Sequence, residues 1–372
     1  ASGAVLVTAP AGLGKSRLGH ELVERVSKSG CADVLLARGD PVAAGSAFAV
    51  ASQLVRSAAG TRAGDPSDRQ VVALLAHLET LFEGSELTRV AEFLGELLRA
   101  PTTWEPSAPL AAARNDAAIM SEQLRRAFVD WLGALCRQRP RLVVIDDLHW
   151  GDQPSTALLD HSLDEHDDAP LMVLALARPE VLETFPRLLS RAGYQELPLR
   201  KLKRKAAGQL VRAVAGELSA ESVERIVARA EGNAFYLEEL VRHVAVTGAG
   251  DLPKTVLAMV QSRLEGLPDE ARRVLRAGSV FGHKLWGSGA AALLAGAMSP
   301  AEVASWLDSL VELEILEPSP SRFAGEVELQ FRYGLLRDAA YAMLTEADRT
   351  LAHRLAAEWL TSVGEKDPLV LA

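Results

Sequence analysis

Residues 9–16 read Ala-Pro-Ala-Gly-Leu-Gly-Lys-Ser, between the apolar run Ala4–Thr8 and a helical pattern that starts near Leu18. A strand before and a helix after are the setting in which a glycine-rich turn of this kind binds phosphate. Gly12 and Gly14 let successive N–H groups turn inward toward phosphate oxygens, and the helix N-terminus adds partial positive charge. The stretch therefore predicts a phosphate-binding loop (P-loop) of an α/β protein.

Two side chains of this loop have the chemistry to bind Mg·ATP. Lys15 supplies a mobile positive charge for the β- and γ-phosphates, and the Ser16 hydroxyl is a ligand for Mg²⁺. Ala9 stands where the usual pattern has Gly, and we expect only a small geometric adjustment. The alternative is a glycine-rich turn that arises by chance. The predicted nucleotide-binding residues are Ala11, Gly12, Leu13, Gly14, Lys15, Ser16 and Arg17.

A pair of acids follows the apolar run Leu142–Ile145. Carboxylates at the carboxyl end of a buried strand lie where open α/β sheets bind ligands. Asp146 suits the second Mg²⁺ ligand, the Walker B acid, and Asp147 is placed to orient or deprotonate an attacking water. The alternative is two solvated loop acids. Because Asp is one methylene shorter than the Glu that many such ATPases use, we expect slow turnover.

Arg178 follows another apolar run, Leu171–Ala177, and its guanidinium is predicted to sense the γ-phosphate in the same crevice. The competing interpretation is a surface Arg that begins a loop before Pro179. His149 is assigned no chemistry, because a lone His without a metal-type cluster more often packs or hydrogen-bonds.

Continuous apolar strands separated by helices predict a parallel sheet covered on both faces. From Lys205 onward the pattern is almost wholly helical, until two short strands are predicted at 313–317 and 329–333 around a Pro/Ser/Gly turn. Helices followed by a small hairpin are typical of a winged helix.

The strings at 11–18, AGLGKSRL, and 142–152, LVVIDDLHWGD, carry a family resemblance. Together they resemble the signal-transduction ATPases with numerous domains (STAND ATPases), and most closely the AAA-type ATPase region of large bacterial regulators. These include ATP-binding LuxR-type regulators, adenylate cyclases and serine/threonine kinase–ATPase fusions. Similar segments continue at 38–46, 176–180, 231–240, 252–257 and 331–341, so the resemblance covers nearly the whole chain.

The resemblance implies an α/β P-loop NTPase domain at 1–200, a helical lid at 201–250, a winged-helix domain at 251–346 and the start of tetratricopeptide-like repeats at 347–372. It also implies a switch, in which ATP holds one arrangement of the domains and ADP another. Two departures lie outside the P-loop: Ala234 replaces a common Pro whose turn sets the lid against the nucleotide, and Tyr333 replaces a common His.

Composition limits the classes of partner. The 48% hydrophobic content is too high for a disordered chain, and the net charge of −9 argues against a generally basic nucleic-acid surface. The sequence has no apolar run of the roughly 18–20 residues that span a bilayer and no visible signal peptide.

Two cysteines, Cys31 and Cys136, are interpreted as small core residues of a reduced, cytoplasmic protein. The chain begins within an apparent core strand, so we expect a segment of a longer polypeptide.

Parts of the sequence are also compatible with three other functions. The first is a nucleotide-binding scaffold that does not hydrolyse ATP, with Asp147 idle. The second is a DNA-binding transcriptional regulator module that uses the winged helix and the basic run Arg200–Lys205, although such runs are usually solvated. The third is a small-molecule kinase, which ranks last because no His-Arg-Asp motif occurs. The expected partners are ATP and ADP, other domains of the same polypeptide, and further copies in ATP-dependent self-association.

Overall fold

Five parallel strands form the sheet at the centre of the N-terminal half. The computed structural model describes residues 1–40, 46–100, 102, 105–215, 218–247, 255–365 and 368–371. Every neighbouring pair of strands runs parallel, so the predicted α/β P-loop fold with a parallel sheet is confirmed. The strands, in the sheet order β2-β3-β4-β1-β5, are β1 (Gly3–Thr8), β2 (Asp33–Arg38), β3 (Arg141–Asp146), β4 (Leu171–Ala177) and β5 (Gln195–Pro198).

The carboxyl ends of these strands share one edge of the sheet. In the register of the sheet, Arg38 of β2 lies beside Asp146 of β3, and Thr8 of β1 lies beside Ala177 of β4. The central strands are buried because their apolar residues face helices on both sides. The loops that follow β1, β2, β3 and β4 therefore lie close together although they are far apart in sequence.

Helices cover both faces of the sheet. One face packs on the first helix through Val7, Val144 and Leu176. The other packs on a larger cluster around Phe93, Phe128 and Trp131. The helices are α1 (Lys15–Ser29), α2 (Ala49–Ala59), α3 (Ser67–Leu78), α4 (Gly84–Leu97), α5 (Ala108–Ala113), α6 (Ala117–Gln138), α7 (Gln153–Glu165) and α8 (Val181–Thr184), with a 3₁₀ turn at Leu148–Trp150.

Three further helices form a cluster of their own: α9 (Arg204–Ala215), α10 (Ala220–Ala230) and α11 (Ala234–Thr247). Val211, Ile226 and Leu237 lie at its centre. The Ser219 hydroxyl accepts the amide of Ser222 and so caps the start of α10. We call these three helices the lid helices, in keeping with the domain predicted there.

A last group of helices packs with a small antiparallel sheet, which we call the C-terminal unit (255–365). The hairpin predicted near 313–333 is present, and a third strand, β6, joins it in the order β6-β8-β7. Its elements, with a short helix beyond it, are α12 (Val256–Glu265), α13 (Asp269–Ser279), β6 (Lys284–Trp286), α14 (Gly287–Leu293), α15 (Pro300–Glu312), β7 (Leu316–Ser319), β8 (Glu328–Phe331), α16 (Gly334–Ala342), α17 (Glu346–Ser362) and α18 (Pro368–Leu371).

The domain divisions and the winged helix remain predictions. The division between residues 250 and 251 lies outside the described residues, as do 41–45 and 252–254 of the resembling segments and parts of 347–372. Among the described helices, none combines the length and the apolar character that crossing a membrane requires.

One interpretation of the cysteines is wrong. Cys136 is buried in α6, as predicted, but Cys31 is exposed. Gly30 ends α1 in the left-handed conformation, and Cys31 lies in the turn that follows rather than in the core. The apolar residues near Cys31 in the sequence belong to separate elements on either side of this turn.

Candidate nucleotide site

The loop between β1 and α1 has the backbone of a phosphate cradle. Gly12 (φ 83°) and Gly14 (φ 94°) both adopt left-handed conformations that disfavour any side chain. A Cβ added at Gly14 would meet nothing within 4 Å, so open space lies beside the loop there. Ala9 needs no such conformation, and its N–H donates to the carbonyl of Ala177 (3.2 Å). The replacement of the usual Gly by Ala is therefore accommodated.

Lys15 lies inside this loop with only 7% of its surface exposed. Its Nζ donates to the carbonyl oxygens of Ala9 (2.7 Å) and Pro10 (3.1 Å). Burial lowers the pKa of Lys15, and the negative charge of Asp147 opposes that shift only in part. The ammonium group has neutral hydrogen-bond partners, so phosphate oxygens would be stronger ones.

Ser16 and Asp146 meet across the carboxyl edge of the sheet. The Ser16 Oγ donates to Asp146 Oδ1 (3.2 Å), which also accepts the Asp147 N–H (2.9 Å). Burial raises the pKa of Asp146, and the neighbouring Asp147 charge raises it further. A hydroxyl and a carboxylate side by side are the oxygen ligands that Mg²⁺ takes in phosphate-binding sites. Together with the open glycine loop, these residues fit Mg·ATP.

Asp147 lies just beyond β3 in a left-handed conformation (φ 50°). Arg38 Nη2 donates to its Oδ2 (2.9 Å). Burial would raise the pKa of Asp147, but the charge and hydrogen bond of Arg38, together with His149 and His283, more than offset burial, and the pKa lies below its usual value. Asp147 is thus a charged carboxylate beside Lys15 and Asp146, with one oxygen engaged by Arg38.

Arg178 and His149 adjoin the same crevice. The Arg178 N–H donates to His149 Nδ1 (3.4 Å). Burial lowers the pKa of His149 to about 4, so the ring is neutral. Because Nδ1 accepts the Arg178 N–H, the ring proton is on Nε2. Nε2 is buried without a hydrogen-bond partner among the described residues. Burial is the largest cause of the lowered pKa of Lys15, and the positive charge of Arg178 lowers it further. Arg17, the last of the predicted nucleotide-binding residues, has a side chain that is 76% exposed and pairs with Glu21 (2.5 Å).

The lid helices contact the P-loop directly. The N–H of Phe235 donates to the carbonyl of Gly12 (3.0 Å). A Cβ at Gly12 would come within 2.8 Å of the Asn233 side chain, so the two segments pack closely. Ala234, where the STAND ATPases that the sequence resembles commonly have Pro, begins α11, and the contact is still present. The Tyr333 ring packs against Phe235 in a tilted arrangement, with 4.4 Å between ring centroids and 59° between ring planes, and so connects the C-terminal unit to the same segment.

Four residues near the site were missed by sequence reasoning: Arg38, Asn233, His283 and Gln330. Arg38 carried a usable signal, because it follows a predicted strand of a parallel sheet and must lie at the ligand-binding edge. Asn233 stands in the resembling segment 231–240. His283 and Gln330 are distant in sequence and gave no local signal. Burial, with the Arg38 charge as the next cause, lowers the pKa of His283 to about 3.

Comparison with known proteins finds a family match in the N-terminal half of the chain. Residues 1–174 match the AAA ATPase domain family. An uncharacterized protein of Rhizobium meliloti (strain 1021) is 26% identical over 260 residues, which cover 65% of this chain and 24% of that protein. In fold, the chain is similar over its whole length to 44% of the STAND protein with a tetratricopeptide repeat sensor, PH0952, from Pyrococcus horikoshii (15% identity, TM-score 0.57).

A weaker likeness is to the ORC1 protein of Aeropyrum pernix in complex with DNA, with 14% identity over 92% of this chain and 87% of that one. Its TM-score of 0.38 is too low to support any argument about DNA. The chain spans about a quarter of the rhizobial relative and less than half of the Pyrococcus protein.

Proposed function

We propose that this chain is a nucleotide-controlled switch that binds Mg·ATP and hydrolyses it slowly. The match of residues 1–174 to the AAA ATPase domain family and the similarity in fold to a STAND protein support the proposal. The observation that carries the proposal is the contact of Ser16 with Asp146 beside the buried Lys15. This contact brings together two residues, 130 apart in the sequence, to which we assign the binding of Mg²⁺.

The roles follow from the side chains. The amides of residues 11–16 and the Lys15 ammonium bind the β- and γ-phosphates. Ser16 and Asp146 hold Mg²⁺, which when bound offsets phosphate charge. Asp147 orients a water molecule and accepts its proton as the water oxygen bonds to the γ-phosphorus and the bond to the ADP oxygen breaks. Arg178 interacts with the γ-phosphate oxygens, which gain charge during transfer.

Contacts between the parts of the chain support a switch. The lid helices bind the P-loop through Phe235 and Gly12, and the Tyr333 hydroxyl of the C-terminal unit donates to Glu238 of α11 (2.7 Å). A change in the P-loop on exchange of ATP for ADP would thus be transmitted to the C-terminal unit through packed side chains. We further propose that this unit relays the change to other domains of a larger bacterial regulator, with ATP-dependent self-association as one output.

A phosphate-release assay tests the hydrolytic part of the proposal. We expect slow, Mg²⁺-dependent release from the 372-residue chain, and a loss of roughly 10²-fold or more in Asp147→Asn. Asp130→Asn is the matched control, since Asp130 is a half-exposed carboxylate on α6 that pairs only with Arg89 among the described contacts (2.5 Å). Equal rates in wild type and Asp147→Asn would remove Asp147 from the reaction.

A second candidate, a scaffold that binds ATP without turnover, is favoured by one observation. Asp147 is already engaged by Arg38 and has one oxygen left for water. Tight ATP binding with no phosphate release above the uncatalysed rate would select this function.

A further inference from the structure

Arg38 lies between the nucleotide site and the C-terminal unit. It is the last residue of β2, and Gln53 fixes its backbone from α2: the Arg38 N–H donates to Gln53 Oε1 and its carbonyl accepts Gln53 Nε2, both at 2.9 Å. The guanidinium therefore extends from an anchored backbone. Its side chain is 27% exposed, so the group is largely shielded from water.

The Arg38 guanidinium hydrogen-bonds to two side chains from distant parts of the chain. Nη2 donates to Asp147 Oδ2 (2.9 Å), and Nη1 reaches Gln330 Oε1 of β8 (3.5 Å). Gln330 is itself held, because its Nε2 donates to Glu317 Oε1 of β7 (2.5 Å). A continuous series of hydrogen bonds thus runs from the acid beyond β3 to two strands of the C-terminal unit.

Docking of the C-terminal unit does not depend on this series alone. The N–H of Gly64 donates to the carbonyl of Arg322, and Gly64 forms a β-bridge with Phe323. A Cβ at Gly64 would collide with the Arg322 carbonyl oxygen, so the approach of the two backbones is close. Loss of the Gln330 side chain would leave this backbone contact in place. A mutation of Gln330 therefore tests the hydrogen bonds to Arg38 without removing the second contact that docks the C-terminal unit.

We propose that Arg38 is a positioning residue that restrains Asp147 while the C-terminal unit is docked, with Gln330 holding the guanidinium in place. The inference rests on the proposed hydrolytic role of Asp147. The guanidinium occupies one carboxylate oxygen and fixes the orientation of the other, so Asp147 meets the attacking water less freely. Movement of β8 away from Arg38 removes one of the two groups that hold the guanidinium and relaxes the restraint.

Steady-state phosphate release with Arg38→Gln, Gln330→Ala and Arg89→Gln tests the restraint. Arg89 is the matched control, since it is 28% exposed and pairs with Asp130 away from the site. Arg38→Gln should raise kcat roughly two- to five-fold, the factor expected from a partly exposed ion pair, with little change in KM. Gln330→Ala should give a smaller increase, and Arg89→Gln none.

Combination with Asp147→Asn makes the test specific. Arg38→Gln in the Asp147→Asn background should give no acceleration, because the restrained group is absent. A fall in kcat on Arg38→Gln, or an equal rise in both backgrounds, would overturn the proposal. Should Arg38→Gln fold poorly, Arg38→Lys serves instead: it keeps the charge without the two-pronged geometry and should raise kcat by less.

Thermal unfolding without nucleotide separates this inference from the proposed function. The losses of Tm in Arg38→Gln and Gln330→Ala should be less than additive in the double variant, because both changes remove one shared contact. Additive losses would overturn the link between Arg38 and the C-terminal unit. A wild-type chain that binds ATP but releases no phosphate would instead refute hydrolysis, while the unfolding cycle still decides whether the link exists.

Discussion

Replacement of Asp152 by Ala should cost far more stability than loss of an ordinary helix cap. Asp152 is 2% exposed at the start of α7. Its carboxylate accepts the N–H groups of Phe48 (2.8 Å), Val50 (3.1 Å) and Ser155 (2.8 Å), and also the Ser155 hydroxyl (2.8 Å). It thus joins the N-terminus of α2 to that of α7 beside the nucleotide site.

The magnitude follows from the amides left behind. Each buried donor without an acceptor costs about 1–3 kcal/mol, and the buried amides of Val50 and Ser155 with the partly buried amide of Phe48 give about 3–5 kcal/mol after partial relaxation. Asp116→Ala is the matched control, because Asp116 caps α6 at an exposed position by accepting the amides of Ala118 (2.8 Å) and Ile119 (3.2 Å). Loss of such a cap costs about 1 kcal/mol.

Urea unfolding of the three proteins measures the difference, and calorimetry reports ATP affinity. The Asp152→Ala variant should lose roughly three times the free energy of unfolding that Asp116→Ala loses. Below the unfolding transition it should bind ATP as wild type does, because neither its carboxylate nor its bonded amides belong to the predicted nucleotide contacts. Equal losses in the two variants would refute the reasoning from burial and hydrogen-bond number.

Three further predictions concern the site and the cysteines. Asp146→Asn should weaken the dependence of ATP binding on Mg²⁺, and an unchanged metal titration would contradict its assignment as a ligand. Arg178→Ala should narrow the preference for ATP over ADP, and an identical preference in both proteins would exclude it from γ-phosphate recognition. Cys31 should react rapidly with a thiol reagent, whereas Cys136, whose pKa burial raises to about 11, should react only on unfolding; equal rates in the folded chain would contradict the assigned burial.

The nucleotide loop and the acidic strand were predictable because their signals are local. A buried apolar run, a glycine turn and a helix lie consecutively at residues 4–29, and parallel packing places the end of every strand at one edge. The close contact of Ser16 with Asp146 follows from that geometry. Helix α7 lies between β3 and β4, where two successive parallel strands require a crossover.

Contacts between distant parts of the chain left no comparable signal. Gln330 lies 292 residues from Arg38 in the sequence, and no local pattern relates the two residues. Strand β6 has three residues, too few to show a period. The Gly-, Pro-, Asp- and Ser-rich stretches near 61–69 and 101–109 look like loops in the sequence, but α3 already begins at Ser67 directly after Pro66, and Ser107 caps α5. Caps shift element boundaries by a few residues without altering the apolar pattern.

The central claim is that the loop around Lys15 binds the phosphates of ATP, and calorimetric titration of the chain with Mg·ATP tests it most directly. Lys28→Ala is the matched control, because Lys28 lies on the same helix, exposed and paired with Glu24 (2.5 Å). We expect Lys28→Ala to bind as wild type does and Lys15→Ala to show no detectable binding. Wild-type affinity in Lys15→Ala would contradict the assignment of this loop as the nucleotide site.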